Sequence, residues 1–148
     1  TDLNYFFPLV SSVISQDYDI AIGSRLLSRS ETNRSLKREI FSRGYNLLIR
    51  ALFWCKFRDA QCGFKAIKRS SANILIPYIQ DNQWFFDTEL LLIAEKRGFR
   101  INEIPVAWRE DPDSRVKVIK TIAQDIFGLL RLRFGGIPEI INSSCSKN

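Results

Sequence analysis

The chain has no histidine, which removes imidazole from both catalysis and metal binding. It has three cysteines, Cys55, Cys62 and Cys145, an odd and scattered set without metal-ligand spacing. They read as free thiols of a reducing compartment. It also lacks methionine and begins at Thr1. A complete translation product starts with Met, so the expectation is a processed product or an excerpt of something longer. No apolar run approaches the roughly 20 residues needed to span a bilayer. The longest candidate, Tyr45 to Phe57, is broken by Arg50 and Lys56, and no signal-peptide pattern is present.

What remains is globular in composition. The 148 residues are 45% hydrophobic and 26% charged, enough to bury a core as one domain and unlike a disordered chain. Twenty-two Lys and Arg against 16 acids give a formal charge of +6. That balance favours anionic partners: phosphate groups, nucleic acid or an acidic membrane surface.

Along the chain, apolar spacing predicts a helix over Leu3 to Ile14. Asp19 to Arg25 reads as a short buried strand ending in Gly-Ser-Arg, where α/β sheets place their ligands. Leu26 to Ser35 is polar and reads as a loop. A long helix is expected from Leu36 to Phe57, basic at first (Lys37, Arg38, Arg43) and then apolar and aromatic. Two alternatives stand for it: a core helix with a wet end, or a helix sinking its aromatic end into a lipid interface. Ser70 to Tyr78 and Phe86 to Arg97 are further helices, the latter with acid in its first turn and Gly98 as its stop. Arg100 to Trp108 reads as a strand in which Pro105 marks an edge or irregularity. An amphipathic helix over Val116 to Phe134 closes the domain at Gly135-Gly136, and residues 137–148 read as a tail.

The most chemically loaded stretch is Asp59-Ala60-Gln61-Cys62-Gly63-Phe64-Lys65-Ala66. It sets a carboxylate, an amide, a thiol and a cation around one glycine. Gly63 suits a tight turn or the close approach of a ligand. On extended chain, Asp59 and Gln61 would point to the same side. Taken alone, the stretch reads first as a polar turn entering a strand, Cys62 to Ile67, with Asp59 bonded to its own backbone.

Its company along the chain carries more. Ile22-Gly23-Ser24-Arg25, Asp59 to Lys65, Phe86-Asp87-Thr88-Glu89-Leu90-Leu91, Glu103-Ile104-Pro105-Val106-Ala107-Trp108 and Ser114-Arg115 occur in one order. Together they resemble the C-terminal half of an inverting family 2 glycosyltransferase of the dolichyl-phosphate glucosyltransferase and mannosyltransferase group. The Gln-Cys-Gly-Phe-Lys wording is nearer the glucosyl branch. The resemblance implies an α/β fold, the C-terminal half of a GT-A (Rossmann-like) domain with its sheet flanked by helices, over residues 1–136. It implies transfer of a hexosyl group from a nucleotide-sugar to a polyprenyl or dolichyl phosphate, with inversion at the anomeric carbon. The metal-binding Asp-x-Asp motif of that family would lie upstream of Thr1. A divalent metal, Mg or Mn, is therefore expected for the full-length enzyme with ligands mostly outside this chain, and no turnover is expected from this chain alone.

The same resemblance distributes roles. Asp59 matches an acidic position near the reacting centre, suited to orienting the acceptor more than to removing a proton. Arg25, Arg38 and Ser42 match positions that hold the acceptor phosphate. Gln61, Gly63 and Lys65 form the acceptor loop. Arg109, Ser114 and Arg115 match a loop closing over the leaving diphosphate, although Pro112 and Arg115 stand where the family has glycine and lysine. Glu89 reads first as a structural acid. No metal ligand is assigned within the chain. The implied partners are a nucleotide-sugar donor, a polyprenyl-phosphate lipid and a membrane surface, with no nucleic acid. The implied location is cytoplasmic, peripheral at the cytoplasmic face of a membrane. The alternative is a non-catalytic fragment that binds lipid phosphate or an anionic membrane surface.

Overall fold

The computed structural model describes residues 3–28, 30, 32–33, 36–109 and 118–140. Its centre is a five-residue strand, β1 (Ile20–Ser24), buried at every position. The short apolar run expected there is what a strand covered on both faces requires. β1 is flanked antiparallel by β3 (Lys65–Ile67) and parallel by β4 (Ile101–Pro105), giving the order β3-β1-β4. A separate two-stranded ladder pairs β2 (Thr32–Asn33) with β5 (Trp108–Arg109) in parallel. The chain is thus a mixed α/β arrangement, a small open sheet with helices packed against it.

One face of the sheet carries α1 (Phe6–Ile14), whose Leu9 and Val13 pack with Ala21, Phe64 and Ile104. The other face holds the main core. There Ile20 and Ile22 meet α2 (Leu36–Phe53), α3 (Arg69–Leu75), α4 (Phe86–Lys96) and α5 (Val118–Gly135) through Tyr45, Ile49, Leu75, Leu91 and Leu129. Alternation along β1 explains the division, since Ala21 points opposite to Ile20 and Ile22. Gly128 lets α5 sit close on Phe85: a Cβ there would stand 2.4 Å from the ring. Ile137 and Ile140 pack against the same core, and Arg97 donates to the carbonyls of Ile137 and Pro138 at 2.7 and 2.8 Å.

Four expectations change. The stretch expected as a loop over Leu26 to Ser35 contains β2, whose two residues pair with Trp108 and Arg109. The long helix ends at Phe53, not Phe57, because Trp54 turns to a positive φ of 53°. Cys55 and Phe57 are buried from irregular chain instead. The 62–67 strand shrinks to Lys65–Ile67, and the strand expected through Trp108 stops at Pro105 before β5 begins.

Candidate functional site

β1 ends at Ser24, and the next residue turns its side chain onto the Asp59 stretch. Arg25 donates from its backbone N–H to Asp59 Oδ2 at 2.9 Å, from Nε to Oδ2 at 2.8 Å and from Nη2 to Oδ1 at 2.8 Å. The planar fork of arginine matches the two carboxylate oxygens, which is why the pair is bidentate. Asp59 is fully buried and the Arg25 side chain is only 13% exposed, so water screens the pair little. Burial works against the Arg25 charge, but the Asp59 carboxylate more than offsets it and holds the guanidinium protonated. The Trp108 ring lies 5.6 Å from the guanidinium carbon and covers the pair from β5.

The stretch around Asp59 is fastened from other sides too. Glu103 Oε1 on β4 accepts the backbone N–H groups of Arg58 at 2.9 Å and Asp59 at 3.2 Å. Burial pushes the Glu103 carboxyl up from its ordinary value, against the pull of those two N–H groups. Asn46 Oδ1 on α2 accepts the Ala60 N–H, and Asp125 Oδ2 on α5 accepts from Gln61 Nε2 at 2.7 Å. Residues 60 and 61 form a turn, so Asp59 and Gln61 go to different elements rather than to one side.

Beyond the turn, Cys62 is buried beneath Gly23, where an added Cβ would meet Val106 at 2.9 Å and the Cys62 sulfur at 3.3 Å. Burial, and then the Asp59 charge, push the Cys62 thiol up, which keeps it neutral and unreactive. Lys65 reaches Asp87 at 2.9 Å. Burial lowers the Lys65 ammonium from its ordinary value, and Asp87 partly restores it. Gly63 is exposed, its φ is not positive, and a Cβ there would meet nothing within 4 Å. Neither a positive φ nor internal packing requires a glycine at this position.

The structure therefore brings Arg25, Asp59, Gln61, Gly63 and Lys65 to one end of the sheet. Ser42 lies on α2, and its hydroxyl is buried without a hydrogen-bond partner among the described residues, while its carbonyl accepts from Asn46 at 2.9 Å. Arg38 lies one turn earlier on the same helix, and Arg109 belongs to β5; their side chains, like the whole of Ser114 and Arg115, fall outside what is described. Glu89 has a structural post. It is buried, accepts the Gln80 and Asp81 N–H groups at 3.2 and 2.9 Å, and pairs with Arg131 at 2.9 Å.

Sequence reasoning passed over Asn46, Glu103 and Asp125. For two of them a signal exists. Asn46 shares the core stripe of Ile49 and Phe53, and Asp125 that of Leu129 and Leu132, each a polar residue at helical spacing on an apolar face. Glu103 alternates with no such warning.

Among the described residues no group of three or more His, Cys, Asp and Glu is arranged to hold a metal ion. Asp59 and Glu103 are already committed to Arg25 and to backbone N–H groups, so the donor set here does not fit a divalent cation. No described helix is long and apolar enough to cross a membrane.

No family model matches the chain. Individual proteins do. The chain is 41% identical over 122 residues to glycosyltransferase AglD of Haloferax volcanii, covering 82% of this chain and 20% of that protein. It is 38% identical over 101 residues to dolichyl-phosphate β-glucosyltransferase ALG5C of Trichomonas vaginalis, covering 67% and 30% respectively. To the dolichyl-phosphate β-glucosyltransferase of Homo sapiens it is 37% identical over 99 residues, covering 66% and 31%. The chain thus spans between about a fifth and a third of the length of these curated relatives.

Proposed function

Because the chain belongs to the glycosyltransferase family that includes the dolichyl-phosphate β-glucosyltransferases, we propose that its protein transfers a hexosyl group from a nucleotide-sugar to a polyprenyl phosphate, inverting the anomeric carbon. The observation that carries this reading is the buried Arg25–Asp59 pair at the open end of β1, inside the motif order shared with that group. A phosphate oxygen of the acceptor attacks the anomeric carbon in line with the departing nucleoside diphosphate. The residues that hold the nucleotide and any divalent ion lie, on this reading, outside this chain, and the chain alone does not turn over.

The geometry favours a positioning role for Asp59. Both its oxygens face the Arg25 fork, and its charge is already matched. A phosphate acceptor, whose second pKa is about 6, arrives largely ionised near neutral pH and needs no strong base. The Ser42 hydroxyl, buried without a partner among the described residues, supports a phosphate cradle on α2, with Arg38 one turn before it.

α2 also supports contact with a membrane surface. Ile40, Phe41, Leu47, Leu48 and, just past its end, Trp54 are 61, 56, 66, 40 and 87% exposed. Ile40 and Leu47 fall on the side opposite Tyr45, Ile49 and Phe53, and Phe41 and Leu48 lie between that side and Tyr45, so the helix carries a broad exposed apolar stripe that the core does not use. Arg43 and Arg50 flank that stripe. An amphipathic helix of this kind lies in the headgroup layer, beside a lipid-borne phosphate and on the cytoplasmic face.

The test is made on the full-length enzyme with a nucleotide-hexose and a polyprenyl phosphate. Lipid-linked hexose is expected to form. Arg38→Ala is expected to weaken acceptor use by roughly 10- to 150-fold, the worth of a charge-assisted contact, with donor binding little changed. Absence of lipid-linked product with every nucleotide-hexose overturns the function; equal losses toward both substrates overturn the cradle.

A further inference from the structure

Asp125 stands on the core-facing side of α5, in line with Leu129 and Leu132, and is fully buried. An apolar residue would pack there without desolvating a carboxylate. Its direct polar partner on the acceptor loop is Gln61, whose Nε2 it receives at 2.7 Å. An amide has a donor end and an acceptor end that are nearly equal in shape, and only the partner decides which end faces it. An ionised carboxylate accepts and cannot donate.

We propose that Asp125 is a positioning residue of the transferase site: its carboxylate turns the Gln61 amide nitrogen toward α5, leaving the amide oxygen to accept a hydroxyl of the transferred sugar. This rests on the function proposed above. It adds a residue 64 positions from Gln61, on a different element, and makes α5 a wall of the site as well as a cover for the core.

The surroundings of Asp125 bear on how it titrates. Tyr45 faces it from α2 and is itself 3.4 Å from Thr88 on α4; Gln61 faces it from the loop, and Asp81 from the segment before α4. Burial pushes the Asp125 carboxyl up to about 6, with the Tyr45 hydroxyl opposing, Asp81 adding to the rise and Gln61 opposing it. Below that value the carboxyl gains an O–H donor and no longer dictates the amide's direction. Because the folded value lies above the ordinary 3.8, the fold is most favoured by this group at low pH. That contribution is lost as pH rises through about 6, so removing the charge should stabilise the protein at neutral pH.

The experiment uses the whole protein and two readouts. Without substrate, the Gln61 side-chain NH₂ resonances, assigned by their loss in Gln61→Leu, are followed by NMR from about pH 4.5 to 8. A midpoint near 6 that disappears in Asp125→Asn is expected. Amide resonances that are the same in the parent and in Asp125→Asn across that range overturn the proposal. In turnover at about pH 7.5, Asp125→Ala should lower kcat by roughly 10- to 150-fold with the donor KM little changed. Asp125→Asn, which keeps an acceptor oxygen, should recover activity relative to Ala while melting higher than the parent. Asn as damaged as Ala, or Ala without effect, overturns the positioning role. A parent protein with no transferase activity overturns the function instead, and the NMR titration still decides what holds the amide.

Discussion

The side chain of Asn46 bridges two backbone groups 18 residues apart: its oxygen accepts the Ala60 N–H at 2.8 Å, and its nitrogen donates to the Ser42 carbonyl at 2.9 Å. The residue is 3% exposed. Replacing it by Leu keeps the branched skeleton, with slightly more bulk, and leaves the buried Ala60 N–H without a partner. The expected loss is about 1–3 kcal/mol, the cost of an unsatisfied buried donor, read from urea denaturation. A change within a few tenths of a kcal/mol would mean that the bond has no energetic weight.

Asp59 separates two roles by magnitude. Asp59→Ala leaves the nearly buried Arg25 guanidinium unpaired, and loss of one partner of a buried pair is expected to cost about 3–5 kcal/mol. Asp59→Asn keeps the shape and removes the charge. An obligatory general base would give a rate loss of about 10²–10⁴ and a lost pH dependence. The expectation is a smaller loss, in protein shown to be folded, with the pH profile following the acceptor phosphate.

Two glycines should behave in opposite ways. At Gly63 a methyl group meets nothing, so Gly63→Ala is expected to leave stability within about 0.5 kcal/mol while impairing transfer by crowding the acceptor. At Gly23 the same methyl group meets Val106 and Cys62, so Gly23→Ala is expected to cost about 1–3 kcal/mol through overpacking. Thermal melts and turnover measured on both proteins check the contrast. An active Gly63→Ala enzyme would remove the case for close ligand approach.

Anionic vesicles test the exposed apolar stripe of α2. The full-length protein is expected to co-sediment with them, each basic residue near the surface contributing about 1 kcal/mol, and to release as salt is raised. Trp54→Ser should weaken binding without lowering the melting temperature, because the ring is 87% exposed. No binding by folded protein at low salt would end the interfacial role.

The readable parts of this fold were those set by neighbours in sequence. β1 is a short apolar run covered on both faces, and α4 has acids at its start and Gly98, at φ 82°, past its end. The end of α2 was not readable, because Cys55 and Phe57 continue an apolar pattern that serves irregular chain as well as helix. What Trp54 adopts is decided by where the buried residues after it must go. In the site, residue types were legible and pairings were not. Asp59 meets Arg25 across 34 positions and Gln61 meets Asp125 across 64. Contacts of that separation follow from how helices pack on the sheet, which no local spacing encodes.

The stretch from Arg58 to Gln61 is held by β4 at Arg58 and Asp59, by the end of β1 at Asp59, by α2 at Ala60 and by α5 at Gln61. Four residues tied to three bodies, the sheet, α2 and α5, form a hub. Such a linkage has no soft mode of its own: it cannot swing while the bodies stay still. The carboxylate of Asp59 and the fork of Arg25 sit at the centre of these ties, within two residues of the points where α2 and α5 are attached. In mechanical terms, the two helices and the sheet share one anchorage, at the end of the sheet where β1 stops.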